Sequence, residues 1–182
     1  MSSKLLNPTA NTNYLLSDQI LVGWYPCADS SEPDADELFT CNNITSILKT
    51  NRNIFVNLTT KIEKKKLHKY MDQVVNAVSN PIFIHYEIDD HNIPVDNVGF
   101  NSFIDMLYEL YQKSENRFYI HCAGGHGRTG LVCGCLLKRA GYTSSQALEL
   151  VTQWHKTRDN MPDYPSPENS LQIQYVKDYP NQ

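Results

Sequence analysis

One cysteine in this chain stands among residues that could put a thiol to work. In the stretch YIHCAGGHGRTGLVCG (Tyr119–Gly134), Cys122 closes an apolar run, and Gly124, Gly125 and Gly127 separate it from Arg128 and Thr129. Glycine admits sharp turns and close backbone approach, so the N–H groups of a turn that opens a helix can converge there on one tetrahedral oxyanion. Arg128 adds a planar fork that grips two phosphate oxygens at once. The same N–H groups favour the thiolate of Cys122. A thiolate aimed at a phosphorus held by Ala123, Gly124, Gly125, His126, Gly127 and Arg128 can accept the phosphoryl group, forming a cysteinyl-phosphate that water then hydrolyses.

The leaving oxygen of such a reaction needs a proton. EIDDHNIP (Glu87–Pro94) supplies two carboxyl groups, Asp89 and Asp90, on a loop after a strand. Read alone they would be turn residues ahead of a proline, and the residue pattern does not choose between them.

The elements that must carry these groups alternate along the chain. Short β-branched and aromatic runs read as strands at Gln19–Tyr25, Asn53–Leu58, Pro81–Ile88 and Arg117–Cys122. A helix is predicted to begin near Pro33 in the acidic stretch SEPDADEL. Another is indicated by the helical spacing of Phe100, Phe103, Ile104, Leu107, Tyr108 and Tyr111, and a third by Ala147, Leu150, Val151 and Trp154. LVCGCLLKRAG is apolar almost all round and stops at Gly141, as a buried helix with a glycine cap would. Strands alternating with helices imply an α/β fold, a central mostly parallel twisted sheet flanked by helices, with the glycine-rich loop between a central strand and the buried helix.

Composition sets the outer limits. With 182 residues and 41% hydrophobic content, the expectation is a segment over residues 1–18 followed by a single domain over 19–182. Sixteen basic against 20 acidic residues, a net charge of −4, give no general attraction to nucleic acid or an anionic membrane. The N-terminus lacks an apolar leader and no run reaches membrane-spanning length, so a soluble cytoplasmic protein is expected, a monomer by default. Five cysteines without framework spacing fit a reducing compartment. Cys27, Cys41, Cys133 and Cys135 read as core thiols, with Cys133 or Cys135 as a candidate resolving thiol for an oxidised Cys122. His68, His85 and His155 read as structural or exposed, and no spacing suggests a metal or other cofactor.

HCAGGHGRTG resembles the active-site signature of the cysteine-dependent tyrosine and dual-specificity phosphatases, His-Cys, five residues, Arg, then Ser or Thr. LVGWYP, FVNLT and YPSPENSLQIQYV extend the similarity over residues 19 to 179. The resemblance implies a metal-independent phosphomonoesterase for phosphotyrosine, and for phosphoserine or phosphothreonine, of protein substrates. In that family the acid loop carries an aspartate four residues before a proline, a spacing matched by Asp90 and Pro94. The resemblance further implies that the Thr129 hydroxyl steadies the thiolate as leaving group, that His121 helps hold the cysteine loop, and that Gln172 lies near the site.

Two other readings use the same residues. Phosphoinositide 3-phosphatases often carry lysine at the positions of Ala123 and His126, to meet additional phosphates. Here Ala123 is neutral, which leaves His126 and the lysine face of KIEKKKLHK (Lys61, Lys65 and Lys69) to support a phosphoinositide or inositol phosphate substrate. The lysine face reads first as a solvated one, with a substrate- or lipid-facing patch as the alternative. A non-catalytic phosphate-binding module is disfavoured because Cys122, Arg128 and Asp90 are all present.

Overall fold

The structure is a computed structural model that describes residues 12–26, 52–64 and 70–180. Five strands, β1 (Thr12–Leu15), β2 (Ile20–Gly23), β3 (Arg52–Asn57), β4 (Ile82–His85) and β5 (Asn116–His121), form one sheet in the order β1-β2-β5-β3-β4. All neighbours are parallel except β1, which runs antiparallel to β2. β5 is central, between β2 and β3. Parallel strands are covered on both faces, which is why they read as continuous apolar runs.

Successive side chains on a strand alternate between the faces. Ile20, Val22, Ile54, Val56, Phe118 and Ile120 join the larger buried cluster, whereas Leu21, Phe55 and Tyr119 join a smaller one. Among the described residues six helical segments accompany the sheet: α1, the single turn Lys61–Lys64, then α2 (Tyr70–Ala77), α3 (Asn97–Tyr111), α4 (Gly127–Arg139), α5 (Ser144–His155) and α6 (Ser170–Asp178). The predicted stripe of α3 is the one that packs: Phe100, Phe103, Ile104 and Leu107 are buried. They meet Leu131, Leu136 and Leu137 of α4, Val151 of α5 and Val176 of α6 in the larger cluster, while Tyr70 and Val74 of α2 cover the other face. The expected sheet between helices is therefore present.

α4 ends as its sequence indicates. Gly141 has φ +94°, its N–H donates to the Lys138 carbonyl at 3.0 Å, and Tyr142 N–H donates to the Leu137 carbonyl at 3.1 Å, the two bonds of a glycine-capped helix end. Strand β1 falls inside the segment 1–18 expected to precede the domain, so the sheet begins before residue 19. The helix predicted near Pro33, Cys27, Cys41, His68 and the lysines at 65 and 69 lie outside the described residues. Among the described residues no helix is long and apolar enough to cross a membrane.

Candidate active site

β5 delivers Cys122 at the centre of the sheet, and the chain then turns through Ala123–His126 into α4. The carbonyl groups of this loop are all held from behind. Tyr25 N–H donates to the Ala123 carbonyl at 2.8 Å, His126 Nδ1 to the Gly124 carbonyl at 3.0 Å, Arg158 Nη2 to the Gly125 carbonyl at 2.9 Å, and Ser166 Oγ to the His126 carbonyl at 2.9 Å. In a planar trans peptide the N–H points opposite to the C=O, so anchoring the oxygens outward turns the N–H groups inward. Gly125 is required here: its φ is +67°, and a Cβ would come within 2.2 Å of the Gly23 carbonyl. The α4 N-terminus has no side-chain cap at His126, whereas α3, α5 and α6 are capped by Asp96, Thr143 and Asn169. Its N–H groups remain for a ligand.

Cys122 Sγ accepts from Gly125 N–H and from Thr129 Oγ, each at 3.2 Å. Both donors stabilise a sulfur anion. Behind the loop, Arg158 is buried and binds Asn13 Oδ1 at 2.6 Å as well as the Gly125 carbonyl; burial pulls its guanidinium down to about 10, against the charges of Tyr119, Cys122 and Cys133, and it remains a cation at neutral pH. No local signal in the sequence marks this arginine.

Arg128 is 1% exposed. Its Nη1 and Nη2 form a bidentate pair with Glu63 at 2.8 Å each, Nη2 also meets Asp90 Oδ1 at 2.8 Å, and Nη1 donates to the Ile88 carbonyl at 3.1 Å. Nε has no partner among the described residues. Burial opposes the charge of this arginine, but its hydrogen bonds to Glu63 and the charges of Cys122, Glu63 and Asp90 raise it above its ordinary value. For Glu63, burial likewise opposes ionisation, and the bonds to Arg128 and Thr60 outweigh it and hold the carboxyl below its usual range.

Glu63 is hidden in the sequence because it sits inside a run of lysines. The available signal is topological. β3 pairs with β5 so that Asn57 lies opposite His121, and the segment after β3 therefore emerges beside Cys122. A lone acid there faces the loop arginine.

Of the two candidate acids, Asp90 is the one paired with Arg128; its side chain is 55% exposed. His121 is fully buried, with Nδ1 on the Cys122 carbonyl at 3.3 Å and Nε2 on Tyr70 Oη at 2.9 Å. A carbonyl only accepts, so Nδ1 donates, and Nε2 pairs with the Tyr70 hydroxyl; burial, with Tyr25 nearby, pushes the Tyr70 phenol up and keeps its proton in place. Gln172, also fully buried, joins the loop after β4 to the segment before α6: Nε2 donates to the Asn92 carbonyl at 3.2 Å and Oε1 accepts from Glu168 N–H at 3.0 Å. Cys133 and Cys135 are buried free thiols. Burial pushes Cys133 up to about 12 and Cys135 up as well, so neither ionises readily as a resolving thiol. His85 binds the Thr59 carbonyl at 2.7 Å, and His155 is buried, in keeping with structural roles.

Sulfur, guanidinium and inward amides at the end of a central parallel strand define a class, α/β domains built around a phosphate-binding cysteine loop. The chain belongs to the PTP-SAK family, the Swiss Army Knife protein DSP-PTPase phosphatase domain, which matches residues 40–166. Among curated proteins, 067L of Invertebrate iridescent virus 3, named as a tyrosine phosphatase, is 29% identical over 153 residues, 82% of this chain and 55% of that protein. 197R of Invertebrate iridescent virus 6, also so named, is 34% identical over 85 residues, 46% of this chain and 30% of that protein. The chain thus spans about half or less of the curated relatives it matches. Among solved structures, the kinase associated phosphatase KAP, with its catalytic-site cysteine replaced by serine, has a TM-score of 0.69 at 18% identity, covering 91% of this chain and 90% of that one. Tk-PTP in its active form has a TM-score of 0.66 at 17% identity, covering 93% and 95%. Both share the fold.

Proposed function

We propose that the chain is a cysteine-dependent protein phosphatase that hydrolyses phosphotyrosine, and phosphoserine or phosphothreonine, in phosphorylated protein substrates. One observation carries this reading: Cys122 Sγ receives hydrogen bonds from Gly125 N–H and Thr129 Oγ in a loop whose carbonyls are all anchored outward. The substrate phosphoryl group sits on the loop amides of residues 123–128 and on the free Nε edge of Arg128. The Cys122 thiolate attacks phosphorus, the bond to the leaving oxygen breaks, and Asp90 transfers its proton to that oxygen. Water then attacks the cysteinyl-phosphate and gives its proton to Asp90, while sulfur departs as a thiolate steadied by Thr129.

The expected compartment is the cytoplasm, supported by the free thiols of Cys122, Cys133 and Cys135. Cys122→Ser tests the mechanism. It is expected to abolish turnover of a phosphotyrosine peptide while still binding that peptide, because the cradle survives without its sulfur; turnover near wild type refutes the assignment. Protein phosphopeptides and inositol phosphates or phosphoinositides assayed side by side with the wild type separate the substrate classes.

A further inference from the structure

We infer that Glu168 is a positioning residue that ties the loop bearing Asp90 to the phosphate loop, through His91 on one side and His126 on the other. The inference rests on the roles proposed above for Cys122 and Asp90. The two oxygens of one carboxylate face two different loops: Oε2 lies 3.1 Å from His91 Nδ1, and Oε1 lies 3.5 Å from His126 Nε2. His91 in turn presents Nε2 to Asp90 Oδ2 at 3.6 Å. The chain of contacts runs from inside the cradle to the acid.

The orientation of the rings follows from their partners. His126 Nδ1 faces the Gly124 carbonyl, which only accepts, so Nδ1 carries a hydrogen. Its Nε2 faces the Glu168 carboxylate, and His91 has a carboxylate at each nitrogen, so Glu168 is the acceptor that both rings share. The groups that face them are Asp90 and Glu168 for His91, and Glu168 with the rings of His155 and Tyr164 for His126.

An exposed ion pair contributes little on its own, and the His91 side chain is 68% exposed. Here the pair is backed by the main chain. Asn169 Nδ2 donates to the His91 carbonyl at 2.9 Å, and Gln172 Nε2 donates to the Asn92 carbonyl at 3.2 Å. His91 has φ +57°, a conformation that side chains rarely adopt and that its surroundings must hold. The carboxylate also lies directly against the phosphate loop: a Cβ on Gly127 would come within 2.5 Å of Glu168 Oε2. Acid loop, His91, Glu168 and phosphate loop thus form one connected unit, and a misplaced Asp90 costs rate only where the leaving group needs its proton.

Glu168→Gln keeps the shape and removes the charge. Its rate on a phosphotyrosine peptide, a poor leaving group, is expected to fall on the order of tenfold, part of the 10²–10⁴-fold range of general acid catalysis. Its rate on an aryl phosphate with a strongly acidic phenol should change less than about twofold, with vanadate inhibition retained, because the loop carbonyls keep their own anchors. His91→Gln, on an exposed loop, should give the same pattern, and the double variant no further loss. Equal slowing of both substrates, or no slowing of either, overturns the role of Glu168. Asp90→Asn is the control that separates the two levels. If it discriminates between leaving groups and Glu168→Gln does not, the bridge alone is wrong; if Asp90→Asn does not discriminate, the acid assignment falls and the bridge with it.

Discussion

His155 lies behind the phosphate loop and gives the fold a measurable weakness in acid. The side chain is 2% exposed, and neither ring nitrogen has a partner among the described residues. It lines a small cavity with Gly125, Thr129, Cys133 and Arg158. Burial, with Arg158 and His126 beside it, pulls its value from 6.5 down to about 3. The folded value lies below the unfolded one, so the unfolded chain binds the extra proton; this contribution to stability is intact above about 6.5 and is lost progressively as pH falls toward 3. At pH 5 the unfolded ring is protonated across about 1.5 units while the buried ring stays neutral, which at 1.36 kcal/mol per unit amounts to about 2 kcal/mol. In a chain of 182 residues that is a fall in Tm of roughly 4–8 °C. The assay is urea or thermal unfolding of wild type and His155→Gln at pH 7 and pH 5. The wild type should lose about 2 kcal/mol more than the variant between the two. Parallel losses would show that the unfolded chain gains no proton at His155 that the fold refuses.

Two further perturbations address the residues that hold the site from outside the signature. Glu63→Gln removes one of the two charged partners of Arg128 and should cost about 1–3 kcal/mol at pH 7. Because the folded carboxyl titrates below its ordinary value, this stabilisation is present above that value and is lost as pH falls through the folded one, so variant and wild type should converge in acid. Denaturation curves that stay equally far apart at every pH would exclude the pair as the cause. Arg158→Lys cannot serve Asn13 and the Gly125 carbonyl together and leaves a buried acceptor unpaired, at about 2 kcal/mol. Catalytic efficiency should drop with stability, since the peptide that donates to Cys122 is no longer held; a variant less stable but equally active would separate the anchor from the chemistry.

The parts of this molecule that were legible in the sequence are those whose signal is local. Cys122, the glycines and Arg128 lie within seven residues, and the run before them is too apolar to be anything but a buried strand. α3 announces itself by the spacing of Phe100, Phe103, Ile104 and Leu107, and α4 by Gly141. The strand β1 was not legible because four residues of mixed polarity, TNYL, become a strand only by pairing with Ile20–Gly23. α6 was missed for a similar reason: in SLQIQYVKD only Gln172 and Val176 are buried, and one of them is polar. Glu63, Arg158 and Glu168 were hidden because each acts across the fold. Their partners are 65, 33 and 42 or 77 residues away in the chain, and no periodicity encodes such a meeting.

Charge at the mouth of the site bears on what the site can accept. Glu63 and Asp90 both pair with Arg128, Glu168 faces the His126 ring, and His91 lies between Asp90 and Glu168. Arg158 is committed to Asn13 and to the back of the loop. A single phosphoryl group can be bound because the inward amides carry no counter-charge of their own and Arg128 keeps Nε free. A second phosphate on the same ligand would find Arg128 and Arg158 already paired and the carboxylates of Glu63, Asp90 and Glu168 close by, a like-charge contact. Ala123, where a lysine would supply a further positive charge, supplies none. The balance of charge therefore opposes a ligand that brings a second phosphate to the mouth of this site.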